Sequence, residues 1–188
     1  LKTTNKLGDI DSDGDIDQVY SYGGRSFSIW NGTSGSQVYD SGDQMERITS
    51  THPIYSALFN ASNSTSAAPK NRSDDKGPEP EGVATAQIDG EWYAFIALER
   101  IGGAMIYNVT NPGAPYFVGY SNNRSFALNG PDRGAEGVIF ISAADSPNGN
   151  ALLLLANETS STVSVFQVST CAALTGVAVT PATTASVC

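Results

Sequence analysis

The sequence predicts an all-β chain made of β-propeller blades, and two observations carry that expectation. One pattern occurs twice. Glu81-Gly82-Val83, the turn Asp89-Gly90, an apolar stretch from Tyr93 to Leu98 ending in Glu99, and the alternating Ala104 to Val109 form the first copy. Glu136-Gly137-Val138, Asn148-Gly149-Asn150, Leu152 to Ala156 with Asn157-Glu158, and Val163 to Val168 form the second. The Glu-Gly pairs stand 136 − 81 = 55 residues apart, and such a period, filled with short strands, indicates a propeller or array. The second observation is punctuation: 19 glycines among 188 residues separate runs of alternating or apolar character. The expectation is about three four-stranded units over residues 1–170, part of a larger propeller. Residues 171–188 read as a tail that resembles the start of an Ig-like repeat.

Taken in order, the chain opens on Asp9, Asp11, Asp13, Gly14, Asp15 and Asp17. Carboxylates at alternate positions of a tight loop converge on one point, and Ca²⁺ takes six to eight such oxygens. The twelfth position of an EF-hand would be Tyr20 rather than Glu, and a strand is expected next rather than a helix. The loop therefore reads as a calcium loop between strands, against the plainer reading of a solvated acidic turn. Residues 18–31 read as two short strands about Gly23-Gly24. Ser26-Phe27-Ser28-Ile29-Trp30 alternates as a half-buried strand does, and is taken as part of an earlier, divergent unit. Residues 37–40 make a short outer strand, and 44–59 leave room for a short helix. His52 is the only histidine, which excludes multi-histidine zinc sites and weakens any Ser-His-Asp arrangement. Residues 60–76 read as a long polar surface loop.

Pro78 and Pro80 are expected to hold an extended backbone that presents Glu79 and Glu81 on one side. Strands follow at 83–88, 92–98, 104–109 and 116–120, with Asp89-Gly90 as a hairpin turn and Asn111-Pro112-Gly113 as another. Glu99-Arg100 reads equally as a strand-end ion pair and as part of a site. Residues 121–135 form a polar loop before the second unit. There Leu152 to Ala156 reads as a strand buried on both faces. Each unit thus places one Glu at the start of a strand and another at the end of the next. If the strands line one channel, these carboxylates converge.

Composition limits the functions. Lys plus Arg is 10 and Asp plus Glu is 19, a net charge of −9, which argues against nucleic acid. No apolar run is long enough for a membrane span. Cys171 and Cys188 leave a disulfide open. The chain starts at Leu1, as expected of a processed product or a piece of a longer protein. Seven Asn-x-Ser/Thr sequons, at Asn31, Asn60, Asn63, Asn71, Asn108, Asn123 and Asn157, point to a secreted glycoprotein.

Four ordered blocks carry a family resemblance. They are the acidic loop with Tyr22-Gly23-Gly24-Arg25 to Trp30, the stretch Asn71 to Gly82, Leu98 to Gly103, and Ala143 to Gly149 with Ala156-Asn157-Glu158. Together they resemble the choice-of-anchor I proteins, relatives of mesenchyme-specific cell surface glycoproteins and atypical alkaline phosphatases. The resemblance spans residues 1 to about 168. It implies a secreted or surface-anchored propeller, with a matrix role in some members and calcium-linked phosphomonoesterase activity in others. Family members are longer than this chain, so missing blades or further copies are expected partners, alongside extracellular matrix or a phosphate ester.

Two functions follow. The first is an extracellular or cell-surface calcium-binding module, with Asp9, Asp11, Asp13, Asp15 and Asp17 holding the ion. The alternative is a calcium-dependent phosphomonoesterase. There Glu79, Glu81, Glu99, Glu136 and Glu158 would hold metal in the channel, Glu81 and Glu136 would act in catalysis, and Arg100 would offset phosphate charge. The plainer reading of those glutamates is that they cap strands at the channel rim.

Overall fold

A computed structural model describes residues 1–64, 68–125, 127, 130–170 and 177–185. The chain is all-β apart from one α-helix and two 3₁₀ turns. Two four-stranded antiparallel meanders dominate it. The first sheet is β5 (Pro80–Ile88), β6 (Glu91–Leu98), β7 (Ala104–Asn108) and β8 (Tyr116–Ser121), in that order. The second is β9 (Ala135–Ile141), β10 (Ala151–Asn157), β11 (Thr162–Thr170) and β12 (Val177–Ala185), again in chain order. β5 lies against β9, and β8 against β12. First strand thus meets first strand and last meets last, as in neighbouring propeller blades.

Local chemistry sets the elements. Asp89 at φ 51° and Gly90 at φ 87° supply the two left-handed residues of a two-residue hairpin, pairing Ile88 with Glu91. Asn111 accepts from the Ala114 amide through its carbonyl and from the Gly113 amide through its side chain, closing the second turn. Along β6 the side chains alternate between two cores. Tyr93, Phe95 and Ala97 pack towards the second sheet with Ile106, Leu153, Leu155 and Phe166. Ala94, Ile96 and Leu98 pack the other way, with Met105 and Tyr107, onto Met45, Leu58 and Phe27 of the N-terminal part. The first sheet is therefore covered on both faces.

The N-terminal part supplies that cover. β3 (Ser28–Trp30) and β4 (Gln37–Asp40) form a hairpin, and α1 (Gln44–Thr51) follows with Met45 and Thr49 buried. The unit expected there is thus two-stranded among the described residues. β2 (Tyr20–Ser21) pairs with β1 (Thr3–Thr4), not with β3, because Gly8 O accepts from the Asp17 and Gln18 amides and brings the ends of the acidic loop together. The acidic loop consequently lies between two paired strands.

The loop over 60–76 is less superficial than its composition suggests. Asn60, Ala61 and Asn63 are buried, because Asn60 Nδ2 donates to Glu46 at 2.6 Å and Asn63 Nδ2 to Glu99 at 2.8 Å. In β10, Leu153 and Leu155 are fully buried against the first sheet, whereas Leu154 is half-buried and Ala156 exposed, so one face alone is closed. Cys171 and Cys188 lie outside the described residues.

Candidate carboxylate site at the junction of two sheets

The two sheets touch where the repeated Glu-Gly pairs sit. A Cβ placed on Gly82 would overlap the carbonyl oxygen of Glu136 and press on Val138. The absence of a side chain at this position lets β5 and β9 approach, and the close approach draws the flanking glutamates of both units together.

Glu79 is 3% exposed and sits at φ 50°, a left-handed conformation that a residue before proline avoids. The second unit repeats the geometry two residues before its own Glu-Gly pair, at Gly134 with φ 78°. Backbone hydrogen bonds match too: Glu99 N donates to Glu79 O at 2.9 Å, and Glu158 N to Gly134 O at 2.8 Å. The turn is thus a property of the repeat. One unit meets it with glycine, while the other keeps a carboxylate there despite the strain. The extended path expected between Pro78 and Pro80 is corrected accordingly: Glu79 turns inward, and Glu81 stands exposed on β5.

Three cations hold Glu79. Arg72 Nη2 reaches Oε1 at 2.6 Å, while Lys76 Nζ and Arg100 Nη2 reach Oε2 at 2.9 and 3.0 Å. Burial alone would raise this carboxyl, but the hydrogen bonds from Arg100, Lys76 and Arg72 outweigh it and hold the pKa down at about 2. Arg100 Nη1 also donates to Glu99 Oε1 at 2.8 Å and to Asn63 Oδ1 at 3.0 Å. Glu99 is 6% exposed; burial, together with the Glu79 carboxylate beside it, pushes its pKa up to about 7. Carboxylate oxygens of Glu79, Glu81 and Glu99 all lie within 4.8 Å of one another. Glu136 and Glu158 form a second, exposed pair, in which each repels ionisation of the other's neighbour. The hydrogen bond and charge of Glu158 raise the Glu136 pKa, with a smaller push from Glu81. Glu81 thus links the two groups, and all five glutamates fall along one junction.

The acidic loop is separate. Asp9, Asp11 and Asp17 bring carboxylate oxygens within 4.8 Å of one another, all exposed. Gly14 N donates to Asp9 Oδ2 at 3.1 Å and Ile10 N to Asp17 Oδ2 at 3.0 Å, while Gly14 sits at φ 99°. Asp13 and Asp15 fall outside this trio; Asp13 Oδ1 accepts from the Asp15 amide at 3.0 Å. The two acidic sites differ in fitness for a hard cation. The loop offers carboxylates with no basic side chain bonded to them, whereas both oxygens of Glu79 are already taken by Arg72, Lys76 and Arg100.

Sequence reasoning missed one polar centre. Asp132, 2% exposed, accepts from Thr162 and Ser164 hydroxyls at 2.9 and 3.0 Å, and from Asn123 and Asn157 amides at 2.9 and 3.2 Å. Beside it Arg124 and Arg133 bind backbone carbonyls of Ser62, Asn63 and Gly130. The signal was thin: three charged residues in a loop that reads as solvated. His52 serves the backbone, its Nδ1 accepting from the Ile54 and Tyr55 amides at 3.2 and 3.1 Å. A groove of about 420 Å³ between β3 and the first sheet is lined by Trp30, Trp92 and Val83 and contains none of the glutamates.

No helix among the described residues is long and apolar enough to cross a membrane. No solved structure matches the chain. Gigasin-3a of Magallana gigas is 32% identical over 175 residues, covering 83% of this chain and 60% of that protein. The chain therefore spans about three fifths of the curated relative it matches. The choice-of-anchor I domain matches over residues 1–112. With more than half of its length matched, and with paired blades of the expected kind, the chain belongs to the choice-of-anchor I family.

Proposed function

We propose that the chain is part of an extracellular or cell-surface calcium-binding propeller module with a binding or matrix role. One observation carries the calcium reading: Asp9, Asp11 and Asp17 converge within 4.8 Å in a loop closed by paired strands, with no cation bonded to them. Such a donor set suits a hard, oxygen-seeking ion. Family membership supports the surface location, and the net charge of −9 favours cations near the chain. Calcium would tie β1 to β2 and stabilise the N-terminal part by linkage. Titration calorimetry with Ca²⁺, on the protein and on Asp17→Asn, tests this. Saturable binding lost in the variant supports the reading; no heat in either removes it.

A second reading is favoured by the five glutamates gathered along the β5–β9 junction. It is the phosphomonoesterase suggested by resemblance to atypical alkaline phosphatases. Glu81, Glu99, Glu136 and Glu158 would hold the metal, and the metal when bound would activate water and polarise the phosphate. Within this reading Arg100 and Lys76, already at the site, would meet the phosphate oxygens. The neutralised state of Glu79 weighs against it. Calcium-dependent turnover of a phosphate monoester, abolished by both Glu81→Gln and Glu136→Gln without unfolding, would establish it. Full activity in both variants would end it.

A further inference from the structure

The second sheet leaves one face without a described element on it. Strand register places Ile139 and Ile141 of β9 beside Leu154 and Leu152 of β10, and Val165 and Val163 of β11 beside Leu154 and Ala156. These side chains point away from the first sheet, since Leu153, Leu155 and Phe166 face it. Ile139 is 62% exposed, although it occupies the middle of a strand. None of the residues on this face is charged, in a chain whose surface is otherwise acidic. A contiguous uncharged face of this kind marks an interaction surface.

The repeat says which surface it is. Leu98 and Asn157 are equivalent, each preceding the glutamate that ends its strand. In β6 the face bearing Ala94, Ile96 and Leu98 lies on the part of the chain that precedes it. In β10 the equivalent residues Leu153 and Leu155 lie on the preceding sheet. The opposite face of β6, bearing Tyr93, Phe95 and Ala97, is covered by the unit that follows. Its equivalent in β10 is the face bearing Leu152, Leu154 and Ala156. Every contact between units described here runs in the same direction along the chain, from each unit to the next.

We propose that this face is the seat of a further four-stranded unit of the same repeat, carried in the same polypeptide. That unit would present small and branched apolar side chains at the positions of Leu153 and Leu155, and would extend the existing sheet-on-sheet interface by one step. The length of Gigasin-3a, of which this chain spans 60%, leaves room for such a unit.

Hydroxyl-radical footprinting of the native protein, with its intact mass measured on the same sample, tests the proposal. Leu7 is the internal reference, being 60% exposed beside the acidic loop and so matched to Ile139 in accessibility. The expected result is a polypeptide longer than 188 residues in which Ile139 and Leu154 lose oxidation relative to Leu7, at every protein concentration. Equal oxidation of Ile139 and Leu7 overturns the proposal. So does protection that disappears on dilution, which would assign the face to a second copy. Protection in a polypeptide with no mass beyond these residues overturns it as well, because cover would then come from within the chain.

Discussion

Gly82 of the first unit lies directly on the main-chain carbonyl of Glu136 in the second. The two residues belong to the same repeated dipeptide, one copy contributing its glycine and the other its glutamate backbone. No side chain fits between them, because the obstacle is main chain rather than the end of a flexible group.

Gly82→Ala should therefore push β5 from β9 and weaken the contact between the sheets. The expected loss is about 1–3 kcal/mol, as for other overpacked positions. Gly90→Ala would test a turn glycine with open space around it. Urea unfolding of both variants separates steric overlap from the general effect of removing a glycine. A Gly82→Ala protein as stable as the parent would contradict the close approach.

The Glu79 and Glu99 carboxyls make stability depend on pH in opposite senses. Glu79, with its pKa lowered to about 2, contributes stability above pH 4.5 that is lost as pH falls from there towards 2. Glu99, with its pKa raised to about 7, favours the folded state when protonated; that contribution is full below pH 4.5 and lost as pH rises through 7. Glu99→Gln should keep the contacts and remove the alkaline loss. Its melting temperature should stay flat between pH 5 and 8, where the parent declines by on the order of 2 kcal/mol. Parallel pH curves for the two proteins would show that Glu99 is ionised throughout.

Removing the charge of Glu79 leaves Arg72, Lys76 and Arg100 crowded around a neutral group. Glu79→Gln should cost about 3–5 kcal/mol, the usual result of stripping one partner from a buried ion cluster. Glu79→Gly relieves the left-handed backbone as Gly134 does, so it should lose less than Glu79→Ala, which keeps the strain and loses the charge. Chemical denaturation of the three variants gives the order. Equal losses for Gly and Ala would mean that the conformation carries no strain.

The sequons sort by what their amide nitrogens are doing. Asn60, Asn63, Asn108 and Asn157 are buried, with Nδ2 donating to Glu46, Glu99, Glu91 and Asp132 respectively. Asn123 Nδ2 donates to Asp132 at 2.9 Å. Asn31 and Asn71 are exposed and use only Oδ1, accepting from backbone amides. Secretion from a eukaryotic host should give folded protein glycosylated at Asn31 and Asn71 alone, as read by peptide mapping. Glycan at Asn157 in folded protein would contradict the buried network around Asp132.

The strands of both units were legible because turn chemistry and alternation agree there. Asp89-Gly90 can adopt the two left-handed residues of a tight hairpin, and the neighbouring apolar residues fix the register. The gathering of Glu79, Glu81 and Glu99 was legible from the repeat. Their neutralisation was not, since Arg72, Lys76 and Asn63 come from a loop whose polar composition reads as solvated. Pro78 and Pro80 suggested an extended path, but the cations on both Glu79 oxygens override that local preference. Asp132 stayed hidden for the same reason: burial of a polar loop depends on partners distant in sequence, and no local pattern encodes them.

The order of residues around Glu79 also bears on synthesis. During translation Arg72 and Lys76 leave the ribosome before Glu79, and Arg100 follows only after β6 has been made. The carboxylate thus has two counter-charges in hand before any sheet exists to bury it. Each meander is built from strands adjacent in sequence, so the first sheet can close while the second is still being made. The nascent chain need never bury a bare charge while it waits for distant residues to arrive.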